Sequence, residues 1–219
     1  MKKLQITGVQ EILSIDYRSL FLFRVLIGGV IIIDAINRFS LVPAFYSDQG
    51  IVPRSLVELG AMEHAYHFQL LFLNGSEWFA YMVLSLMILA GLCIVLGYKT
   101  KIAIFAGWIL IGSIITRDSV TANSGDVLLV LLLFWSLFLP VGKKFSLDQL
   151  RNGPKVDESC FLSSGSVAMY IQFALVYVTT GLYKAQYLQW REGTHLYYTF
   201  SRFEFVDPLA FAIYPYEGL

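Results

Sequence analysis

Four groups of polar residues stand within or beside apolar runs of this chain, where an ionisable side chain is by default a functional hypothesis. Arg24, Asp34 and Arg38 share the first run. Asp34 and Arg38 are four residues apart, so on a helix they lie on one face and can pair. Arg24 stands a little more than one turn from the start of the run, where it can snorkel back to the surface. This group reads most simply as a helix anchored at both ends. The second group is Arg117-Asp118 with Asn123-Ser-Gly-Asp126, which leads directly into VLLVLLLFWSLFLP. Gly125 frees the backbone for a tight entry. Asp126 then falls in the first turn of the next helix, where the helix dipole stabilises a carboxylate. Two readings stay open: a helix cap ion-paired to Arg117 or Arg38, or a polar floor for a ligand site. The third group is Lys184 in GLYKAQYLQWREG. At a span end it is an interfacial anchor in an aromatic belt with Tyr187 and Trp190. Turned inward, desolvated and close to Arg117, it would be a neutral amine able to act as a base. The fourth group is the histidines. His64 and His67 share a helix face but need a carboxylate or a third histidine to hold a metal. Glu63 points elsewhere and His195 lies far along the chain, so no metal site is expected.

The elements that must position these groups are membrane spans. Of the 219 residues, 57% are apolar and 15% charged, against roughly 25% charged in a soluble domain. Mean hydropathy is +0.63. The apolar residues come in runs, so they face lipid as well as a core. With formal net charge zero, there is no basic field for nucleic acid. The cysteines, Cys93 in an apolar run and Cys160 in a polar connection, form no disulfide or metal pattern. No hydrolase elbow, phosphate loop, zinc-protease helix or dinucleotide fingerprint occurs.

The fold class expected is all-α, a multi-pass transmembrane helix bundle of about five spans with a long first outer loop. The spans are placed at about Ser19–Asn37, Phe79–Gly97, Ile102–Ile115, Val127–Val141 and Ser166–Lys184. A crossing takes about 20 residues, so the third and fourth need Lys101, Arg117 and Lys143 at the interface. With the N-terminus inside, the inner segments hold Lys2, Lys3, Arg18, Lys99, Lys101, Lys143, Lys144, Arg151 and Lys155. The outer segments hold Arg38, Arg54, Arg117, Lys184, Arg191 and Arg202. That bias favours N-in and, with five spans, C-out. Residues 1–18 read as an amphipathic inner segment without a cleavable signal, and 19–200 as the membrane domain. Residues 201–219 read either as a short interfacial helix or as the cut end of a longer protein. The first outer loop, from about Arg38 to Trp78, opens with turn residues around Phe45-Tyr-Ser-Asp48. It closes with FQLLFL, which suggests a re-entrant or interfacial helix. Asn74-Gly-Ser76 matches a glycosylation acceptor, a pattern that recurs by chance. No internal repeat is visible, which weighs against an inverted-repeat transporter. The inner halves of the spans also lack polar residues to line an aqueous path.

Several stretches resemble, in order, the horizontally transferred transmembrane (HTTM) domain, the membrane domain shared by bacterial proteins and vitamin K-dependent gamma-glutamyl carboxylase. They are the first span followed by FYSDQGIVPRS, then LGYKTKIA, then RDSVTANSGDVLLVLLLFWSLFLPVGKKFSLD, and GLYKAQYLQWREGTHLYY. Together they cover about Ser19 to Phe200. The resemblance implies an integral membrane protein, with a bacterial inner membrane as its expected place. In the carboxylase it would imply a lysine base that deprotonates vitamin K hydroquinone, and Lys184 falls at the matching place. Here Tyr183-Lys184 stands where a doubled lysine is expected, and Gly181 to Trp190 is one residue longer. The leading expectation is a family member that holds a lipid-soluble or peptide partner in an outer-face cluster with Asp34, Arg38, Arg117, Asn123, Asp126 and Lys184 as candidate lining residues. The enzyme alternative is a quinone-dependent carboxylase-like activity or oxidoreductase with Lys184 as base. A third reading is an accessory or immunity factor for an exported peptide.

Overall fold

The computed structural model describes residues 8, 13–61, 70–117, 122–152 and 159–195. The chain divides into two compact units, Met1–Met169 and Tyr170–Leu219. In the first, a two-residue strand β1 (Ile15–Asp16) pairs antiparallel with β2 (Cys160–Phe161), an element the polar N-terminal sequence did not announce. Helix α1 (Tyr17–Phe39) follows at once, capped by the Asp16 carboxylate, which accepts the Arg18 N–H at 2.6 Å. The connection after it holds a π-helical turn (Val42–Tyr46), helix α2 (Arg54–Ala61) and a 3₁₀ turn (Leu70–Phe72). Helix α3 (Glu77–Leu96) is capped by Ser76 and ends at Gly97. Then come α4 (Thr100–Arg117), α5 (Ser124–Ser136) and α6 (Leu147–Asn152). Helix α7 (Ser164–Gln186) passes from the first unit into the second, where the short α8 (Leu188–Arg191) follows.

Helices α1, α3, α4 and α7 are long and apolar enough to cross a membrane. The chain is an all-α, multi-pass membrane protein, and four such helices lie among the described residues. The segment expected to span over Val127–Val141 is helical only as α5, 13 residues, or about 20 Å. The reason lies at its C-terminal end. The Lys101 ammonium donates to the carbonyls of Leu137 and Leu139, the latter at 2.8 Å, and so satisfies groups that a longer helix would have bonded internally. Tighter i→i−3 bonds from Leu137, Phe138 and Leu139 close the turn before Pro140, which has no N–H to continue it.

Within the first unit, α1 packs on α3, α3 on α4 and α4 on α5. On α1 the buried residues Leu20, Arg24, Ile27, Ile31, Ala35 and Arg38 follow helical spacing. The opposite face, Leu22, Leu26, Val30 and Ile33, is exposed and equally apolar, as a lipid-facing surface requires. The tightest approach is α1 to α3 at Gly28 and Gly91. A Cβ built on Gly28 would stand 2.9 Å from the Gly91 carbonyl oxygen, and one on Gly91 would stand 3.0 Å from that of Gly28. Small residues let the backbones meet, and packing rather than hydrophobic exclusion holds helices together in lipid.

Candidate functional site

Arg38, 5% exposed, stands in the last turn of α1 and bonds three side chains. Its Nε donates to both Asp34 carboxylate oxygens at 2.9 and 2.8 Å, one turn back on the same helix. Nη1 donates to the Tyr46 hydroxyl at 2.9 Å, and Nη2 to Asp126 Oδ2 at 3.0 Å. One guanidinium therefore ties together α1, the π-helical turn and α5. Of the two partners left open for Asp126, the structure selects Arg38. Asp126 is held in turn by a capping box: the Asn123 side chain accepts from Gly125 and Asp126, while Asp126 Oδ2 accepts the Asn123 N–H at 3.0 Å.

Arg117 ends α4, and its side chain is wholly buried. Its Nη2 lies 3.9 Å from Asp48 Oδ1. Asp48 is two residues beyond Tyr46, so a single short segment serves both arginines. The Asp48 carboxylate also binds Arg54 at 2.6–3.1 Å through the backbone N–H and the guanidinium. Arg54 donates further to the Phe72 carbonyl at 2.8 Å. The hydrogen bond from Arg54, against a smaller effect of burial, holds the Asp48 carboxyl below the ordinary carboxylate value, with the charges of Arg54 and Arg117 adding to it. Ser113, one turn before Arg117, accepts the Leu71 N–H at 3.1 Å and holds the 3₁₀ turn on α4. Arg38, Arg54 and Arg117 are thus balanced by Asp34, Asp48 and Asp126. The side chains of Asp34, Asp48 and Arg54 are 23%, 35% and 32% exposed and form the reachable rim. Those of Arg38 and Asp126, at 6% and 8%, form the buried floor.

The opposite end of α1 carries a second network. Arg24 does not snorkel to the surface: it is 1% exposed and donates to the carbonyls of Val141 at 3.3 Å and Phe145 at 2.6 Å. Both of these fold back on α1 beside Gly97, whose left-handed φ of 68° closes α3. Asp148, at the start of α6, accepts the N–H groups of Lys99 and Thr100 at 2.7 and 2.8 Å and the Thr100 hydroxyl at 2.6 Å. This end is clamped on itself.

The sequence matches a known family. The HTTM domain profile matches residues 13–215, nearly the whole chain. The chain belongs to the HTTM family. No curated protein and no solved structure matches it. Within this HTTM domain, the structure brings Asp34, Arg38, Asn123 and Asp126 into one network and places Arg117 on Asp48. Lys184 lies in the second unit, near the end of α7, with its Nζ 4.2 Å from the Trp190 ring centroid. The Trp190 ring also stacks on His195, at 4.2 Å between centroids. Tyr187 donates to the Tyr183 hydroxyl at 2.6 Å, and this bond pushes the Tyr187 phenol above its ordinary value. Asp118, Glu63, His64, His67 and 201–219 lie outside the described residues, and among those described no cluster suits a metal. Sequence reasoning missed Tyr46, Asp48 and Arg54 as members of the network. Their signal was present in FYSDQGIVPRS, where an acid and an arginine six residues apart flank a turn.

Proposed function

We propose that this HTTM domain is a membrane scaffold that holds a lipid-soluble partner at the Arg38 end of its bundle. In this reading the N-terminus is inside, that end faces outward, and the membrane is a bacterial inner membrane. Asp34, Asp48 and Arg54 make the contact, while Arg38, Arg117, Asn123 and Asp126 hold them in place. The observation that carries the reading is the charge-balanced network, in which buried Arg38 is fixed by carboxylates from two helices and buried Arg117 lies 3.9 Å from that of Asp48. Such a network is preorganised, so a ligand's polar head meets fixed dipoles and charges instead of having to order them. The partner's class is a quinone, whose apolar tail suits the bilayer and whose carbonyls accept from Arg54.

The test is menaquinone binding by the purified chain, with Arg54→Ala and Lys184→Ala beside wild type. Saturable binding that falls with Arg54→Ala and persists with Lys184→Ala supports the scaffold reading. Binding that depends on Lys184 instead moves the site to the second unit and favours the quinone-dependent enzyme with Lys184 as base. Absence of binding by folded protein refutes both and directs attention to a peptide partner, including the accessory or immunity role.

A further inference from the structure

At the Arg24 end, far from the site above, a groove of about 460 Å³ runs between α3 and α4 from the loop that joins them. Its volume lies within the roughly 300–1,000 Å³ of ligand clefts. Leu86 and Cys93 form one wall, Ile102, Phe105 and Ile109 the other, and Tyr98 with Lys99 the mouth. Each wall runs about 10 Å along its helix, and almost all of the lining is hydrocarbon. A chain-like apolar ligand fits such a shape; a compact polar one does not.

The mouth adds charge. Lys99 takes a left-handed φ of 44°, unusual for a long side chain. The Asp148 carboxylate fixes that conformation by accepting the Lys99 and Thr100 N–H groups and the Thr100 hydroxyl. The charge of that carboxylate is balanced by the Arg24 guanidinium. The Lys99 ammonium makes no ion pair among the described residues and lies 5.9 Å from the Tyr98 ring centroid. The neighbouring Lys101 is spent on the carbonyls that end α5. An apolar trough with one uncompensated cation at the membrane boundary is complementary to a hydrocarbon tail joined to an anion.

We propose that the α3–α4 groove is a binding site for an anionic phospholipid, with one acyl chain along the trough and the phosphate on Lys99. A zwitterionic lipid fills the same walls but brings no net charge to the ammonium. The bonds from Asp148 fix the backbone from which the Lys99 side chain leaves at the mouth of the groove.

The experiment is native mass spectrometry of the full chain, extracted into detergent and incubated with equimolar phosphatidylglycerol and phosphatidylcholine. Wild type is expected to retain phosphatidylglycerol preferentially. Lys99→Gly, which accepts the left-handed backbone and removes the charge, should reduce that preference about fivefold, the worth of one lysine at an anionic surface. Ala106→Phe, which fills the groove from its open side, should lose both lipids. Equal retention of the two lipids by wild type would overturn the proposal, as would an unchanged preference in Lys99→Gly or retained lipid in Ala106→Phe. Should Ala106→Phe fail to fold, the Lys99→Gly comparison decides alone.

Discussion

Replacing Asp126 by alanine tests whether the Arg38 network is a buried junction or a hydrated surface cluster. Arg38 would keep Asp34 and Tyr46 but lose the carboxylate that reaches it from α5. Stripping one partner from a buried ion pair costs about 3–5 kcal/mol, because the other charge stays buried. Asp34 on Nε offsets roughly half of that, since the remaining pair is still bonded. The Asn123 N–H loses its acceptor as well, and a lost helix cap costs about 1 kcal/mol. The sum is about 3 kcal/mol, or roughly 6–12 °C in midpoint for a chain of this length. Thermal unfolding of the purified protein in detergent, followed by tryptophan fluorescence, reads it directly. Asp126→Asn keeps the capping acceptor and a neutral bond to Arg38, and should lose about half as much. Arg38→Met with Asp126→Leu should recover most of the loss, because well-packed apolar residues often replace a buried pair at little cost. The side chain of Asp34, 23% exposed, can then turn to water. A midpoint for Asp126→Ala within about 2 °C of wild type would refute the reasoning: the guanidinium would be hydrated and the floor would not be preorganised.

Two further outcomes follow from the packing and the loops. Gly28→Ala puts a methyl 2.7 Å from a Val95 methyl and 2.9 Å from the Gly91 carbonyl oxygen, so α1 and α3 must separate at a cost of about 1–3 kcal/mol. Gly29→Ala meets nothing within 4 Å and should be neutral or slightly stabilising; equal midpoints for the two variants would sink the account of that contact. For Asp148, burial pushes the carboxyl up, but the bonds from Thr100 and Lys99 outweigh it and hold it below the ordinary value. A lowered folded value contributes stability above the unfolded value, near 3.9 for an aspartate. That contribution is lost as pH falls through the folded value. Unfolding midpoints of wild type should therefore drop on acidification below about pH 4, and Asp148→Asn should drop less steeply; parallel curves would remove Asp148 from the clamp.

What was legible in the sequence was whatever depended on nearest neighbours along the chain. Apolar runs placed the helices, because length and composition decide a span. The i, i+4 spacing put Asp34 beside Arg38, and the Asn-x-x-Asp pattern marked the start of α5. What depended on distant partners was hidden. Arg24 is buried because two carbonyls 117 and 121 residues away accept from it, and a carbonyl has no sequence signature. Helix α5 is short because Lys101, 36 residues before Leu137, reaches across to its last turn. Tyr46 and Asp48 read only as turn residues until the fold set them against Arg38 and Arg117.

Arg24 and Arg38 explain why the two ends of the bundle differ. They are fourteen residues apart on α1, so they are separated by about 21 Å and lie within about 40° of the same face. Both therefore point into the bundle rather than toward lipid, as their burial shows. Their spacing is less than the roughly 30 Å hydrocarbon core of a bilayer, and both side chains are buried within the protein. Water cannot satisfy them there, and the protein must. At the Arg24 end it does so with backbone carbonyls, which fix the chain from Val141 to Phe145. At the Arg38 end it uses carboxylates, and two of these, Asp34 and Asp48, remain partly exposed. Helix α5, at about 20 Å, matches the spacing between the two layers: it connects them and need not cross the bilayer by itself. The end built from carbonyls braces the fold around Arg24. The end built from carboxylates can also meet a ligand, and for that reason the functional reading belongs with Arg38.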